Sequence, residues 1–151
     1  MKLAHIKYIY FLGIGGIGMS ALAKYFHRLG KQVSGYDKTP SAITAGLQEL
    51  GIAICFSEDV SIVQDFNPDE TLVVLTPAVP KDHAQWNYFL THNYQIMKRA
   101  EVLGLITQDT FCFAVAGTHG KTTTSAILGH ILYTAKTDVT AFVGGIVEQY
   151  G

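Results

Sequence analysis

The chain has 151 residues, of which 48% are hydrophobic and only 15% charged, so it has ample material for a core and none of the polar bias of a disordered segment. Its formal net charge is −1 and no basic run is longer than Lys98-Arg99, which excludes the clustered positive face that a nucleic-acid backbone demands. Cys55 and Cys112 lie in apolar stretches with no CxxC pair or His/Cys cluster, so they read as buried free thiols suited to a reducing cytoplasm.

The first element is "KYIYFLGI", a nearly continuous apolar run of the kind that forms a strand covered on both faces of a parallel sheet. Ile17, Ala21, Leu22, Tyr25, Phe26 and Leu29 then recur at helical spacing, and Gly30 supplies a stop. Lys2, Lys7, the uncharged "YIYFLGIGGIGMSALA" and the Ala21-Leu22-Ala23 triplet together imitate a signal peptide. Gly13, Gly15, Gly16 and Gly18 argue against that reading, since each costs a helix about 1 kcal/mol relative to alanine. The run also falls short of the roughly 20 residues that span a bilayer, so no membrane association is expected.

"QVSGY" predicts a second strand and "SAITAGLQELG" a second helix, with Ser41 as N-cap after Pro40 and Gly51 near its end. "IAICF" predicts a third strand, followed by an acidic stretch at 59–65 with a weak helical signal. "TLVVLTPAV" is a strong fourth strand, 83–92 a helix, "YQIMK" a fifth strand and "RAEVLGLI" a helix. "TFCFAVAG" opens a new unit as a strand, followed by a helix to about Ala135 and a last strand, "VTAFVGG". Strands alternating with helices define an α/β fold with a mostly parallel sheet. The expectation is a Rossmann-like doubly wound domain over 1–107 with strand order 3-2-1-4-5, then a second unit over 108–151, the polar "TQDT" marking the boundary.

"GIGGIG" at Gly13–Gly18 fits G-x-G-x-x-G between a strand and a helix. In that pattern Gly13 permits the tight turn, Gly15 lets the backbone approach a pyrophosphate, and Gly18 allows close helix packing, while the helix start offers free N–H groups to phosphate. Asp37 ends the second strand 19 residues after Gly18, where a ribose-binding carboxylate belongs. The motif does not choose between a nicotinamide dinucleotide and a UDP-sugar.

"GTHGKTT" at Gly117–Thr123 carries Gly-Lys-Thr at a second strand-to-helix turn. Its backbone amides can cradle phosphates, Lys121 can reach the β and γ oxygens, and Thr122 can place its hydroxyl on Mg²⁺. Val115 stands where the full phosphate-loop pattern has its first glycine, and Gly117 lies two residues nearer, so this is a shortened variant loop. His119 reads either as a loop histidine or as a nucleotide contact. His27, His83, His92 and His130 stand alone in helical stretches and read as structural or solvated.

In order along the chain, "FLGIGGIGMSALA", "VSGYD", "LTPAVP", "KRAEVLG" and "VAGTHGKTTTSAILG" resemble the signature segments of the Mur ligases, from about Lys7 to the "FVGGIV" near Gly151. His119 and "GIGGIGMS" make the chain most similar to the branch that joins L-alanine to UDP-N-acetylmuramate in peptidoglycan precursor synthesis. The resemblance implies three domains in the whole enzyme, of which this chain would be the UDP-binding first and the first βαβ portion of the second, a P-loop ATPase domain. It implies ATP and Mg²⁺ as cofactors and an acyl-phosphate route to the amide. Gly15, Gly16, Ile17, Gly18 and Met19 would wrap the UDP diphosphate, with Ser20 near it, Gly13 also in the UDP-sugar site, and Asp37, Thr76, Pro77 and Ala78 near the uridine. Gly117, Thr118, His119, Gly120, Lys121, Thr122 and Thr123 would hold ATP, Lys121 and Thr122 being the catalytic pair and Thr122 the Mg²⁺ ligand. Serine is common in the family where Tyr36 and Pro77 stand, so polar contacts are not carried over to those two.

The family's carbamylated lysine, its acidic Mg²⁺ ligand and its C-terminal domain would lie beyond Gly151, so this chain by itself is expected to be inactive. The apolar side of the last helix (Ile127, Leu128, Ile131, Leu132) would then seek cover on the first domain or on a second copy. Two other readings remain open: a Rossmann-type NAD(P)-binding oxidoreductase domain, with no role for Lys121, and a non-catalytic nucleotide-binding module.

Overall fold

The structure, a computed structural model, describes residues 5–108 and 110–143. The chain divides into two compact units, Met1–Asp109 and Thr110–Gly151.

The first unit is a five-stranded parallel sheet in the order β3-β2-β1-β4-β5, as expected from the motif placement. Its strands are β1 (Tyr8–Leu12), β2 (Gln32–Tyr36), β3 (Ala53–Cys55), β4 (Thr71–Leu75) and β5 (Gln95–Lys98). The helices are α1 (Ile17–Arg28), α2 (Ala42–Glu49), α3 (Ala84–Thr91) and α4 (Arg99–Gln108). The acidic stretch supplies only a single 3-10 turn, Val60–Ile62, capped by the Asp59 side chain.

The apolar runs explain the centre of the sheet. All of β4 is buried, as is β1 after Tyr8, because helices cover both faces of a parallel sheet. Tyr10, Leu12, Val73 and Leu75 form one core with Tyr36, Val63, Val79, Phe89 and Tyr94. The alternating residues Ile9, Phe11, Leu72 and Val74 are also buried and face the other way. β1 and β2 meet closely at Gly35, where a Cβ would lie 2.6 Å from the Phe11 carbonyl oxygen.

A buried polar group within this core is satisfied. The Tyr10 hydroxyl donates to Gln85 Oε1 at 2.9 Å and lies 3.2 Å from Cys55 Sγ, and Gln85 Nε2 donates to the Asp59 carbonyl at 2.9 Å. Burial therefore holds the Tyr10 phenol firmly neutral. Local capping is as clear: the Ser41 hydroxyl accepts from Thr44 N–H at 3.2 Å, and Thr44 Oγ1 accepts from Ser41 N–H at 2.8 Å. That reciprocal box starts α2 where the sequence places it.

The second unit contains α5 (Lys121–Thr134), ending at Ala135. The strands expected at 110–117 and 139–145 are not formed among the described residues, and Gly144 and Gly145 lie outside these. A helix satisfies its amides internally, whereas a strand exists only in a ladder, and no ladder is formed there. Cys112 is accordingly exposed and Cys55 half-buried, which corrects the expectation of two buried thiols. Phe111, Phe113, Ile127 and Ile131 are exposed as well, while Gly129 is buried, with room for a Cβ only at 3.4 Å from Ala141 Cβ.

Candidate functional site

In the first unit the carboxyl ends of the strands collect most of the predicted residues. The chain leaves β1 at Leu12 and turns through Gly13, whose φ of +87° is left-handed, a conformation that costs any residue with a Cβ about 1–2 kcal/mol. Tyr36, at the end of β2, pins this turn: its carbonyl accepts from both Gly13 N–H (2.8 Å) and Ile14 N–H (2.9 Å). Thr76, at the end of β4, closes the other side, for a Cβ on Gly13 would lie 2.5 Å from its Cγ2. Thr76, Pro77 and Ala78 form a turn closed by Val79 N–H to the Thr76 carbonyl at 3.2 Å, with Pro77 and Ala78 exposed.

Asp37 sits against the same loop. Its Oδ2 accepts from Gly15 N–H at 2.7 Å, and its Oδ1 from Thr39 N–H at 3.4 Å. A Cβ on Gly15 would meet that Oδ2 at 2.8 Å and Thr44 Cγ2 at 3.0 Å. Gly15 thus owes its small size to neighbours within the protein, beyond the pyrophosphate approach that the motif implies.

Gly16 is the N-cap of α1 and provides no side-chain cap, and the first turn of the helix holds no acid. The opening amides of Ile17, Gly18 and Met19 are therefore placed to receive an anion. Met19 is buried, and the Ser20 hydroxyl donates back to the Ile17 carbonyl at 2.9 Å. Met19 can serve a ligand through its backbone N–H, whereas the Ser20 N–H is spent on the Gly16 carbonyl at 2.8 Å. Tyr36, where serine is common in the family, packs its ring edge-on to His83 at 4.4 Å. Burial raises the Tyr36 hydroxyl above its ordinary pKa, with Glu58 and Asp37 adding to the effect.

Sequence reasoning missed one side chain here. A Cβ on Gly18 would lie 2.6 Å from Arg99 Nη1, so the Arg99 guanidinium rests directly on the start of α1. The available signal was position: Lys98-Arg99 is a basic pair at the carboxyl end of β5, the end at which doubly wound sheets bind ligands.

In the second unit, Gly117 (φ +151°) and Gly120 (φ +75°) shape the loop before α5. Gly120 caps the helix without a side chain, and the first turn again lacks an acid. Lys121 Nζ folds onto its own loop, donating to the Gly117 carbonyl at 2.5 Å and the Thr118 carbonyl at 3.2 Å. Thr118, His119, Thr122 and Thr123 are exposed.

Fold and loop placement together define a doubly wound α/β domain of the Rossmann-like class, followed by a second unit with a glycine-lysine-threonine turn. The family model described as "Mur ligase family, catalytic domain" matches residues 8–110, and the chain belongs to the Mur ligase family. It is 64% identical over 151 residues to the UDP-N-acetylmuramate–L-alanine ligase of Flavobacterium psychrophilum, covering 99% of this chain and 34% of the relative. The ligase of that name from Porphyromonas gingivalis is 52% identical over 147 residues, covering 96% and 32%. Among solved structures, the UDP-N-acetylmuramate-alanine ligase of Thermotoga maritima superposes with a TM-score of 0.82 at 36% identity, covering 94% of this chain and 33% of that one. The UDP-N-acetylmuramate:L-alanyl-γ-D-glutamyl-meso-diaminopimelate ligase of Neisseria meningitides gives a TM-score of 0.84 at 27% identity, covering 97% and 45%. The chain thus spans about a third of the length of the curated relatives it matches. No described helix is long and apolar enough to cross a membrane.

Proposed function

We propose that the chain is the UDP-sugar-binding part, with the phosphate loop, of an ATP-dependent ligase that joins L-alanine to UDP-N-acetylmuramate in cytoplasmic peptidoglycan precursor synthesis. The observation that carries this reading is the 64% identity to a relative of that name across the whole chain, glycine loops included. The geometry supports it through an uncapped α1 at the carboxyl end of β1, where a diphosphate gains from free amides and the helix dipole.

In this reading Gly13, Gly15 and Gly16 shape the loop around the diphosphate, the opening amides of Ile17, Gly18 and Met19 bind it with Ser20 close by, and Asp37 and Thr76–Ala78 flank the uridine. Gly117–Thr123 hold ATP. The γ-phosphoryl group passes to the muramic carboxylate, giving ADP and an acyl phosphate; the amine of L-alanine then attacks the acyl carbon and expels phosphate. Lys121 exchanges its two loop carbonyls for phosphate oxygens and stabilises the charge on the transferring group. Mg²⁺ would neutralise charge between the phosphates; the exposed Thr122 hydroxyl, in the uncapped first turn of α5, fits one position in its shell.

Thermal-shift titration of the chain with UDP-N-acetylmuramate, ATP-Mg²⁺ and NAD tests the reading. Stabilisation by the UDP-sugar and not by NAD is expected; the reverse overturns it in favour of an oxidoreductase domain. Phosphate release with all three ligase substrates, compared with Lys121→Ala, tests whether 151 residues suffice. No turnover is expected, since the relatives that carry the activity are about three times as long. Release that Lys121→Ala abolishes would overturn that expectation.

A further inference from the structure

We propose that Arg99 is a diphosphate-binding residue of the first loop, setting its preference for a charged nucleoside diphosphate; this rests on the UDP-sugar reading above. Arg99 is the first residue of α4, directly after β5, while Gly18 is the second residue of α1, after β1. β4 lies between those strands, so the side chain crosses the carboxyl end of the sheet to reach the loop. A Cβ on Gly18 would lie 2.6 Å from Arg99 Nη1 and 3.1 Å from its Cδ and Cζ. The glycine is the seat of the guanidinium, and any side chain there would unseat it.

Nothing within the described residues accounts for this placement as a structural ion pair. Arg99 is exposed and has no carboxylate or hydrogen-bond partner among them; the ion pair found there is Lys7 with Glu70. Asp37, the acid beside the loop, is engaged with Gly15 N–H. The start of α4 is itself fixed, because Glu101 Oε2 accepts from Lys98 N–H at 2.6 Å.

Electrostatics then gives Arg99 its task. Asp37 puts a carboxylate against the glycine loop and occupies one of its amides, and both effects oppose a diphosphate. A guanidinium over the first turn of α1 offsets that charge and presents a planar fork to two phosphate oxygens. Backbone amides alone would hold the anion without that compensation.

The test is equilibrium titration of the 151-residue chain with UDP-N-acetylmuramate, UDP and uridine, the last followed by ligand-observed NMR. The variants are Arg99→Met, Arg99→Lys and Gly18→Ala, with near-UV circular dichroism confirming the fold. Arg99→Met should weaken UDP and the UDP-sugar about tenfold or more and leave uridine unchanged. Arg99→Lys should recover part of the loss, and Gly18→Ala should behave like Arg99→Met. UDP affinity within about twofold of the parent in Arg99→Met, or an equal loss for uridine, overturns the role of Arg99 and leaves the proposed function standing. Failure of the unaltered chain to bind any uridine compound, with NAD bound instead, overturns the proposed function and this inference together.

Discussion

The two glycine loops share a design rule and differ in what enforces it. In the first, neighbours surround the backbone: Tyr36 holds two amides, Asp37 a third, and Thr76, Asp37, Thr44 and Arg99 fill the space where side chains would go. In the second, a Cβ on Gly117 would meet only the His119 carbonyl at 3.5 Å, and one on Gly120 only Thr124 Oγ1 at 4.0 Å. There the glycines are demanded by left-handed backbone angles, and crowding plays no part. A loop held by packing arrives preformed; a loop held by φ alone keeps its shape through its helix and through Lys121, whose ammonium caps two loop carbonyls. The same residue type therefore carries tertiary information in one loop and local information in the other.

Substitutions can break this contrast. The largest effect is expected from Gly35→Val, beside the first loop, since its Cβ would collide with the Phe11 carbonyl and press on Ile14. Overpacking of backbone against backbone in a buried sheet should cost about 3 kcal/mol, read as a lower urea midpoint. Little change would show that β1 and β2 can separate freely.

Gly15→Val comes next, with a loss of about 2 kcal/mol and of UDP binding. Because the clash is with Asp37 and Thr44, adding Asp37→Ala should recover part of the stability and none of the binding. Strict additivity of the two changes would show that the Asp37 contact does not constrain the loop.

Gly120→Ala should act through φ alone and cost about 1–2 kcal/mol, confined to α5. Hydrogen exchange of the α5 amides should quicken while the melting of the first unit stays put. Broad destabilisation of both units would erase the distinction drawn here.

The smallest effect concerns His83. Burial lowers its pKa, against weaker opposition from Glu58 and Asp82, and its Nδ1 accepts from Trp86 N–H at 3.4 Å as the cap of α3. The folded state therefore binds the proton less readily than the unfolded chain. Its contribution is present above the unfolded pKa of about 6.5 and is lost as pH falls below it toward the lower folded value. Melting between pH 7 and pH 5 should show this decline, and His83→Asn should flatten it.

Much of the first unit was legible because its signals are local or periodic. Apolar runs marked β1 and β4, Ser41 after Pro40 announced the start of α2, and the glycine pattern located the turn after β1. Asp37 was found by its distance along the chain, and its attachment to Gly15 N–H was not, since that bond joins residues 22 apart. Arg99 was harder still: the pair it forms with Gly18 depends on where β5 falls in the sheet order. The strand expected at 110–117 failed for the converse reason, an apolar stretch being necessary for a strand but its partner being what makes one.

By itself, then, the sequence determined the elements of the first unit, their parallel order, the two glycine turns and the family resemblance, because periodicity, capping and turn chemistry act over a few residues. Only the tertiary structure decided that Tyr36 buries its ring in the core while its carbonyl pins the loop, that Asp37 occupies a loop amide, and that Gly18 makes room for a cation from just past β5. Those facts depend on groups meeting across the sheet, and no local pattern encodes a meeting between residues whose strands become neighbours only on folding.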